Sequence, residues 1–246
     1  MNIGQTISDF FYTIINGIIS FIDKIFPMPF MLDGHIDEFQ LAIYETLIMF
    51  LVTGFLSLVF GLILGVITTV TKRDGILENK VISFLAEILI NFFRSVPFVI
   101  LIPLLLNVSR GIMGTSIGLE GTYVPLIFGT VPFFARQVEA SLSEVDHGLI
   151  EASKAMGDSP LQIIFRVYLK ESIPSITRGT SITFISLLGL TAMAGHVGGG
   201  GLGAFAIRFG YQSQKPDATW ASVVAILLIV SCVQLIGNMI VKRTTH

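Results

Sequence analysis

Residues Thr46–Thr71 read TLIMFLVTGFLSLVFGLILGVITTVT, a run without a single charged side chain. About 20 mostly apolar residues carry a helix across a bilayer, so this run crosses with some tilt. Ala218–Val241 is a second charge-free run of the same kind. Between them lie three less regular candidate spans, near 81–109, 116–138 and 174–196. Each is punctuated: Arg94 and Pro97 in the first, Pro125 and Pro132 in the second, several glycines in the third. Breaks at membrane depth are tolerated where a helix faces protein or a watery path. A plain anchor has no use for them.

The remainder of the 246-residue chain agrees. It is 52% hydrophobic and 13% charged, with a mean hydropathy of +0.80. Ordinary soluble domains carry about twice that charged fraction. So few charges do not cover the apolar surface of a soluble protein this size. The composition excludes a disordered chain, a nucleic-acid binder and an ordinary cytosolic enzyme. The expected fold is an all-α integral membrane protein of about five transmembrane helices. A net charge of -2 supplies no basic field for nucleic acid. The single cysteine, Cys232, lies in an apolar run and excludes a disulfide framework or a cysteine metal site. No metal cluster stands among the spans, and no GxxxxGK[ST] occurs, so the chain brings no P-loop of its own.

Residues 1–39 differ from the rest. Ile7, Phe10, Phe11, Ile14, Ile15, Ile18, Ile19 and Ile22 recur at helical spacing, with Ser8, Asp9, Thr13, Asn16, Ser20 and Asp23 on the opposite side. That is an amphipathic helix, which Pro27 and Pro29 then break. It either lies along the interface or bundle, or forms a short sixth span. The first Lys or Arg is Lys24, so no basic n-region precedes it. Basic residues orient the spans. Lys72, Arg73 and Lys80 follow the first span; Lys154, Arg166, Lys170 and Arg178 lie between the third and fourth; Lys242 and Arg243 follow the fifth. Five crossings put all of these on one side, expected to be cytoplasmic together with the C-terminus. The opposite loops hold Arg110, Arg208 and Lys215, and the N-terminus falls on that side unless a sixth span moves it.

The long charged stretch, about 142–177, is patterned as structure. Leu149, Ala152, Ala155 and Met156 give one face of a short helix stopping at Gly157. Ser159 caps a second helix, with Pro160 at its first position and Gln162 completing a capping box. Leu161, Ile164, Phe165, Tyr168 and Leu169 supply that helix's apolar side.

Glu151-Ala152-Ser153, then Gly157, then an apolar stretch ending at Ile173-Pro174 resembles the EAA motif of ABC importer permeases. NFFRSVPFVILI, GTSIGLEGTYVPLIFGTVPFFARQVEASL, GLIEASKAMGDSPLQI and AMAGHVGGGGLG extend the resemblance to methionine importer permeases over roughly 40–246. The likeness implies a type I ABC importer transmembrane domain over 40–246, with residues 1–39 an addition. It implies a permease subunit in a bacterial plasma membrane, forming a homodimer. Two ABC ATPase subunits would hydrolyse ATP with Mg, and an extracellular or periplasmic binding protein would deliver methionine. This chain binds no cofactor and catalyses no covalent step. Glu151, Ala152, Ser153, Ala155 and Gly157 become the ATPase-coupling element, and Leu190 and Met193 candidates for the substrate path. Two rival readings stay open: the same machine carrying another amino acid or a small organic anion, and an ion-coupled secondary transporter.

Other residues carry structural expectations. Gly61 and Gly65 form a GxxxG pair that seats a neighbouring helix. Pro97 kinks its span, letting Arg94 face the cytoplasmic side in a structural or a ligand-contacting role. Gly198 and Gly201 belong to a glycine-rich backbone after the fourth span that is either mobile or tightly packed.

Overall fold

A computed structural model describes residues 13–21, 24 and 35–244. Besides a single turn at Leu169–Glu171, nine helices follow one another over 35–244: α1 (Ile36–Thr71), α2 (Lys80–Ser95), α3 (Phe98–Met113), α4 (Gly118–Ser143), α5 (His147–Ala155), α6 (Pro160–Ile163), α7 (Ile173–Ala194), α8 (Gly201–Phe205) and α9 (Pro216–Thr244). Wider π turns extend α6 over Ile164–Tyr168 and α8 over Ala206–Gln212, while after α7 the chain kinks within Gly195–Gly199, where Val197 and Gly198 leave helical φ/ψ. The chain forms two compact units. One holds the described residues up to Val52 with Ile102–Leu126 and Leu187–Cys232; the other holds Thr53–Leu101, Ile127–Ser186 and the described residues from Val233.

Among the described residues three helices are long and apolar enough to cross a membrane: α1, α7 continued to Gly199, and α9. The pair α2–α3 makes a fourth if taken as one broken span. α4 is 26 residues long, or ~39 Å at 1.5 Å per residue, and is a fifth candidate by length. Glu120, Tyr123, Pro125 and Pro132 lower its apolar character, yet it stays helical through both prolines. Threonines in α1 are reconciled with an apolar setting by bonding back one turn. Thr46 donates to Ala42 O, Thr68 to Leu64 O, Thr69 to Gly65 O and Thr71 to Ile67 O.

In the second unit α1 and α4 pack side by side in the same direction. Gly61 faces Phe134 and Val131, Gly65 faces Ala135 and Val138, and Lys72 Nζ donates to Ser143 Oγ at 2.9 Å. A Cβ on Gly65 would meet the Ala135 carbonyl at 2.7 Å, so only glycine allows this approach. Two neighbouring parallel spans need one return crossing between them, and α2–α3 is the segment available.

That return is sharper than a kink in one span over 81–109. α2 and α3 meet at 115°. Val96 is extended (φ -81°, ψ 122°) and its N–H closes α2 on Phe92 O. Pro97 disfavours helix at the residue before it and starts α3, where Ile100 and Leu101 donate to its carbonyl. Asn79 caps α2 by accepting from Val81 and Ile82.

Within the described part of the N-terminal segment, residues 13–21 are helical. Ile15 is buried, Ile14, Ile18 and Ile19 are half-buried, and Thr13, Asn16 and Ser20 are exposed. Ile7, Ser8, Asp9, Phe10, Phe11, Ile22, Asp23, Pro27 and Pro29 of the expected amphipathic stretch lie outside the described residues.

Candidate functional site

The loop between α4 and α7 lies wholly within the second unit and is the most locally determined part of the chain. Asp146 caps α5, its carboxylate accepting from Gly148 N at 2.6 Å. Glycine then stops the helix. Gly157 sits at φ +84°, its N–H donates to Lys154 O, and Asp158 N donates to Ser153 O. These two bonds are a Schellman closure, which asks for a left-handed residue at that position. Ser153, buried, donates to Asp158 Oδ2 at 2.7 Å, and Arg166 stands 3.8 Å from the same carboxylate. The next helix opens with the expected capping box. Gln162 N donates to Ser159 Oγ, Ser159 N donates to Gln162 Oε1 at 2.7 Å, and Pro160 occupies the first position.

A buried cluster fixes this helix–turn–helix to the bundle. Val145, Ile150, Ile163 and Tyr168 pack with Phe134, Val138 and Leu142 of α4, flanked by Leu58, Leu62 and Val66 of α1. Burial raises the pKa of the Tyr168 phenol and keeps it neutral. At the far end Ser172 donates to Ser141 O, and Ser175 donates to the Glu144 carboxylate at 2.9 Å.

The inward face differs from the apolar faces read along the sequence. α5 buries Ile150 and Ser153, while Leu149, Ala152, Ala155 and Met156 point out. From α6 through its π turn, Ile163, Ile164 and Tyr168 are buried, but Leu161 and Phe165 are not. Leu149 (47%), Met156 (77%), Leu161 (65%) and Phe165 (66%) are therefore exposed apolar side chains on the same loop as the exposed Glu151, Lys154 and Gly157. Of the expected coupling residues, Glu151, Ala152, Ala155 and Gly157 are on the surface and Ser153 is turned inward as a brace.

The other candidates fall elsewhere. Leu190 is half-buried and Met193 is 39% exposed on α7, three positions apart and so on adjoining faces. Arg94 is exposed in the last turn of α2, and Pro97 is exposed at the break. Gly199, Gly200 and Gly201 are tightly packed, while Gly198 is exposed, with only Ile117 within 4.0 Å of where a Cβ would stand. Gly198 and Gly201 adopt φ +92° and +75°, and a Cβ on Gly201 would sit 2.7 Å from Thr46 Oγ1. The reason is an anchor that the sequence reading missed: Glu45 Oε2 accepts from Gly201 N at 2.6 Å, and Thr46 Oγ1 accepts from Leu202 N at 2.8 Å. The one available signal was an acidic residue directly before the charge-free run.

Comparison with known proteins bears on most of the chain. The family of binding-protein-dependent transport system inner membrane components matches residues 57–246. Over 205 residues the chain is 41% identical to the "Probable D-methionine transport system permease protein MetI" of Vibrio cholerae, covering 83% of this chain and 91% of that protein. It is 44% identical over 170 residues to the methionine import system permease protein MetP of Bacillus subtilis, covering 69% and 77% of the two chains. Among solved structures, a chain of the MetNI methionine ABC transporter in inward-facing conformations aligns with a TM-score of 0.82 at 39% identity, over 90% of this chain and 99% of that one. A chain from an amino acid ABC transporter with histidines aligns at a TM-score of 0.71 and 17% identity, a likeness of fold alone. The family match runs from within α1, through the braced loop, to the last residue, and by it this chain belongs to the binding-protein-dependent transport system inner membrane components, the multi-pass permeases of ABC transporters.

Proposed function

We propose that the chain is the permease subunit of a methionine importer, working as a homodimer with one ATPase subunit docked on each α4–α7 loop. The observation that carries the docking is the exposure of Leu149, Met156, Leu161 and Phe165 on a loop braced by a Schellman turn and a capping box. Apolar side chains held rigidly in water are a binding surface awaiting a partner. Glu151, Ala152, Ala155 and Gly157 lie on the same loop and form the coupling element, with Ser153 positioning the turn. The methionine assignment rests on the Vibrio cholerae and Bacillus subtilis permeases, whose names state that cargo.

In this mechanism ATP closes the ATPase pair and draws the two loops together. The spans then pass between inward-facing and outward-facing states, and a binding protein on the far side delivers methionine. ATP and the loaded binding protein each favour one state, and that difference drives the cycle. Leu190 and Met193 line the path, Met193 offering a soft, adaptable contact to a thioether. Residues 1–39 are an amphipathic addition outside this machinery.

The test is uptake of labelled L-methionine in cells lacking the gene, with and without its restoration, the ATPase and binding protein being retained. Restored uptake that stops on ATP depletion supports the proposal. An inserted, ATPase-bound chain that restores none rejects methionine as cargo. Uptake that survives ATP depletion but stops with an uncoupler points to an ion-coupled transporter.

A further inference from the structure

α2 has three sides with three different needs. Ala86 and Ile90 pack inward. Val81, Leu85, Ile88, Leu89 and Phe92 are exposed and apolar, a face suited to lipid. Lys80, Glu87, Asn91 and Arg94 share the remaining face at helical spacing, and all four are exposed.

The upper part of that face lies at membrane depth. Arg136 Nη2 on α4 donates to Asn91 Oδ1 at 2.9 Å, and the Phe93 ring is 4.9 Å from Phe128. Counted back from Ser143 at 1.5 Å per residue, Arg136 lies ~10 Å and Phe128 ~22 Å along α4. Both depths fall within a hydrocarbon layer about 30 Å thick. Arg136 is already paired, 2.6 Å from Glu139. Arg94 makes no hydrogen bond or ion pair among the described residues. A guanidinium facing hydrocarbon is costly, and such residues turn to water-filled paths or to counter-charges.

We propose that this face of α2 lines the translocation path and that Arg94 binds the α-carboxylate of the cargo, an inference that rests on the amino-acid importer reading above. The guanidinium fork matches a carboxylate in two parallel hydrogen bonds. Asn91 stands one turn below it, and Glu87 a further turn down offers the ammonium group an anion. Opposite charges along one helix face give a zwitterion successive partners, none of which needs to hold it tightly.

The experiment uses the assembled transporter, ATPase and binding protein included, in proteoliposomes. Arg94→Gln should lower the maximal methionine uptake rate at least tenfold while the ATPase still co-purifies, and Arg94→Lys should recover part of it. A structural role alone would not predict the second readout. In a Cys232→Ser background, Arg94→Cys should react with an anionic, water-soluble thiol reagent, and methionine should slow that reaction. Wild-type uptake by Arg94→Gln, or a thiol unreactive with and without ATP, as in a lipid-facing or subunit-covered position, overturns the proposal. If the wild-type complex moves no methionine, the cargo reading fails by itself. Protection of the thiol by another α-amino acid then supports the role of Arg94, and protection by none overturns it.

Discussion

Single residues in the α1–α4 seam make opposite demands on substitution. Gly65 has the Ala135 carbonyl and the Val138 side chain within 2.7 Å of where a Cβ would stand. A carbonyl in a helix does not move aside, so Gly65→Leu should destabilise the protein by about 1–3 kcal/mol. The check is a lowered thermal unfolding midpoint in detergent. One turn before Gly61 the same seam holds Ser57, and Thr130 lies on α4; both hydroxyls are buried with no partner among the described residues. Removing such a group sheds an unmet desolvation cost, so Ser57→Ala should leave the midpoint unchanged or raise it. Gly157 presents a third case. Nothing lies within 4 Å of its missing side chain, but its φ of +84° opposes any L residue. Gly157→Ala should cost ~1–2 kcal/mol from backbone strain alone, and Gly157→Asn should cost less, because asparagine tolerates that region.

Elements show where the sequence was legible and where it was not. The turn at Gly157 and the capping box at Ser159 and Gln162 were readable because both are local: every partner lies within five residues. The long spans were readable because a bilayer demands an unbroken apolar run. The direction of the loop's apolar residues was not, since α5 is nine residues long and carries apolar side chains on two sides. Which side turns inward depends on Phe134, Val138 and Leu142, which belong to another helix. Glu45 was illegible for the same reason, its partner being 156 positions away. Removing that carboxylate leaves the Gly201 N–H without its acceptor, and bonds to charged groups are worth ~1.5–3 kcal/mol. Glu45→Ala should lower the unfolding midpoint, and Glu45→Gln, which keeps an acceptor, should lower it less. At the loop, Phe165→Glu should sharply reduce co-purification of the ATPase without altering membrane insertion. Retention of the ATPase at wild-type yield would show that the exposed apolar side chains are not its seat.

At the scale of the whole chain the deciding question is the parity of crossings. α1 and α4 run the same way, so α2–α3 must cross once despite its 115° bend. With α7 and α9 this makes five crossings, and the basic ends at Lys72, Arg178 and Lys242 share one side. A re-entrant α2–α3, dipping in and returning to the same face, would give four and would turn α4 against α1. The two arrangements separate at the α1–α2 turn, where Leu77 is 45% exposed, because Ile117 (73% exposed) and Tyr211 (81% exposed), joined through α4 and α7, share a side in both. In a Cys232→Ser background, Ile117→Cys and Tyr211→Cys should react with a membrane-impermeant reagent applied to whole cells. Leu77→Cys and Lys242→Cys should react only in inverted vesicles, because the excess of Lys and Arg marks the cytoplasmic side. Reaction of Leu77→Cys from outside, with Ile117→Cys also labelled from outside, would remove the single crossing by α2–α3. It would also remove the depth on which Arg94 is placed in the path, so this measurement bears on the fold and on the carboxylate site together.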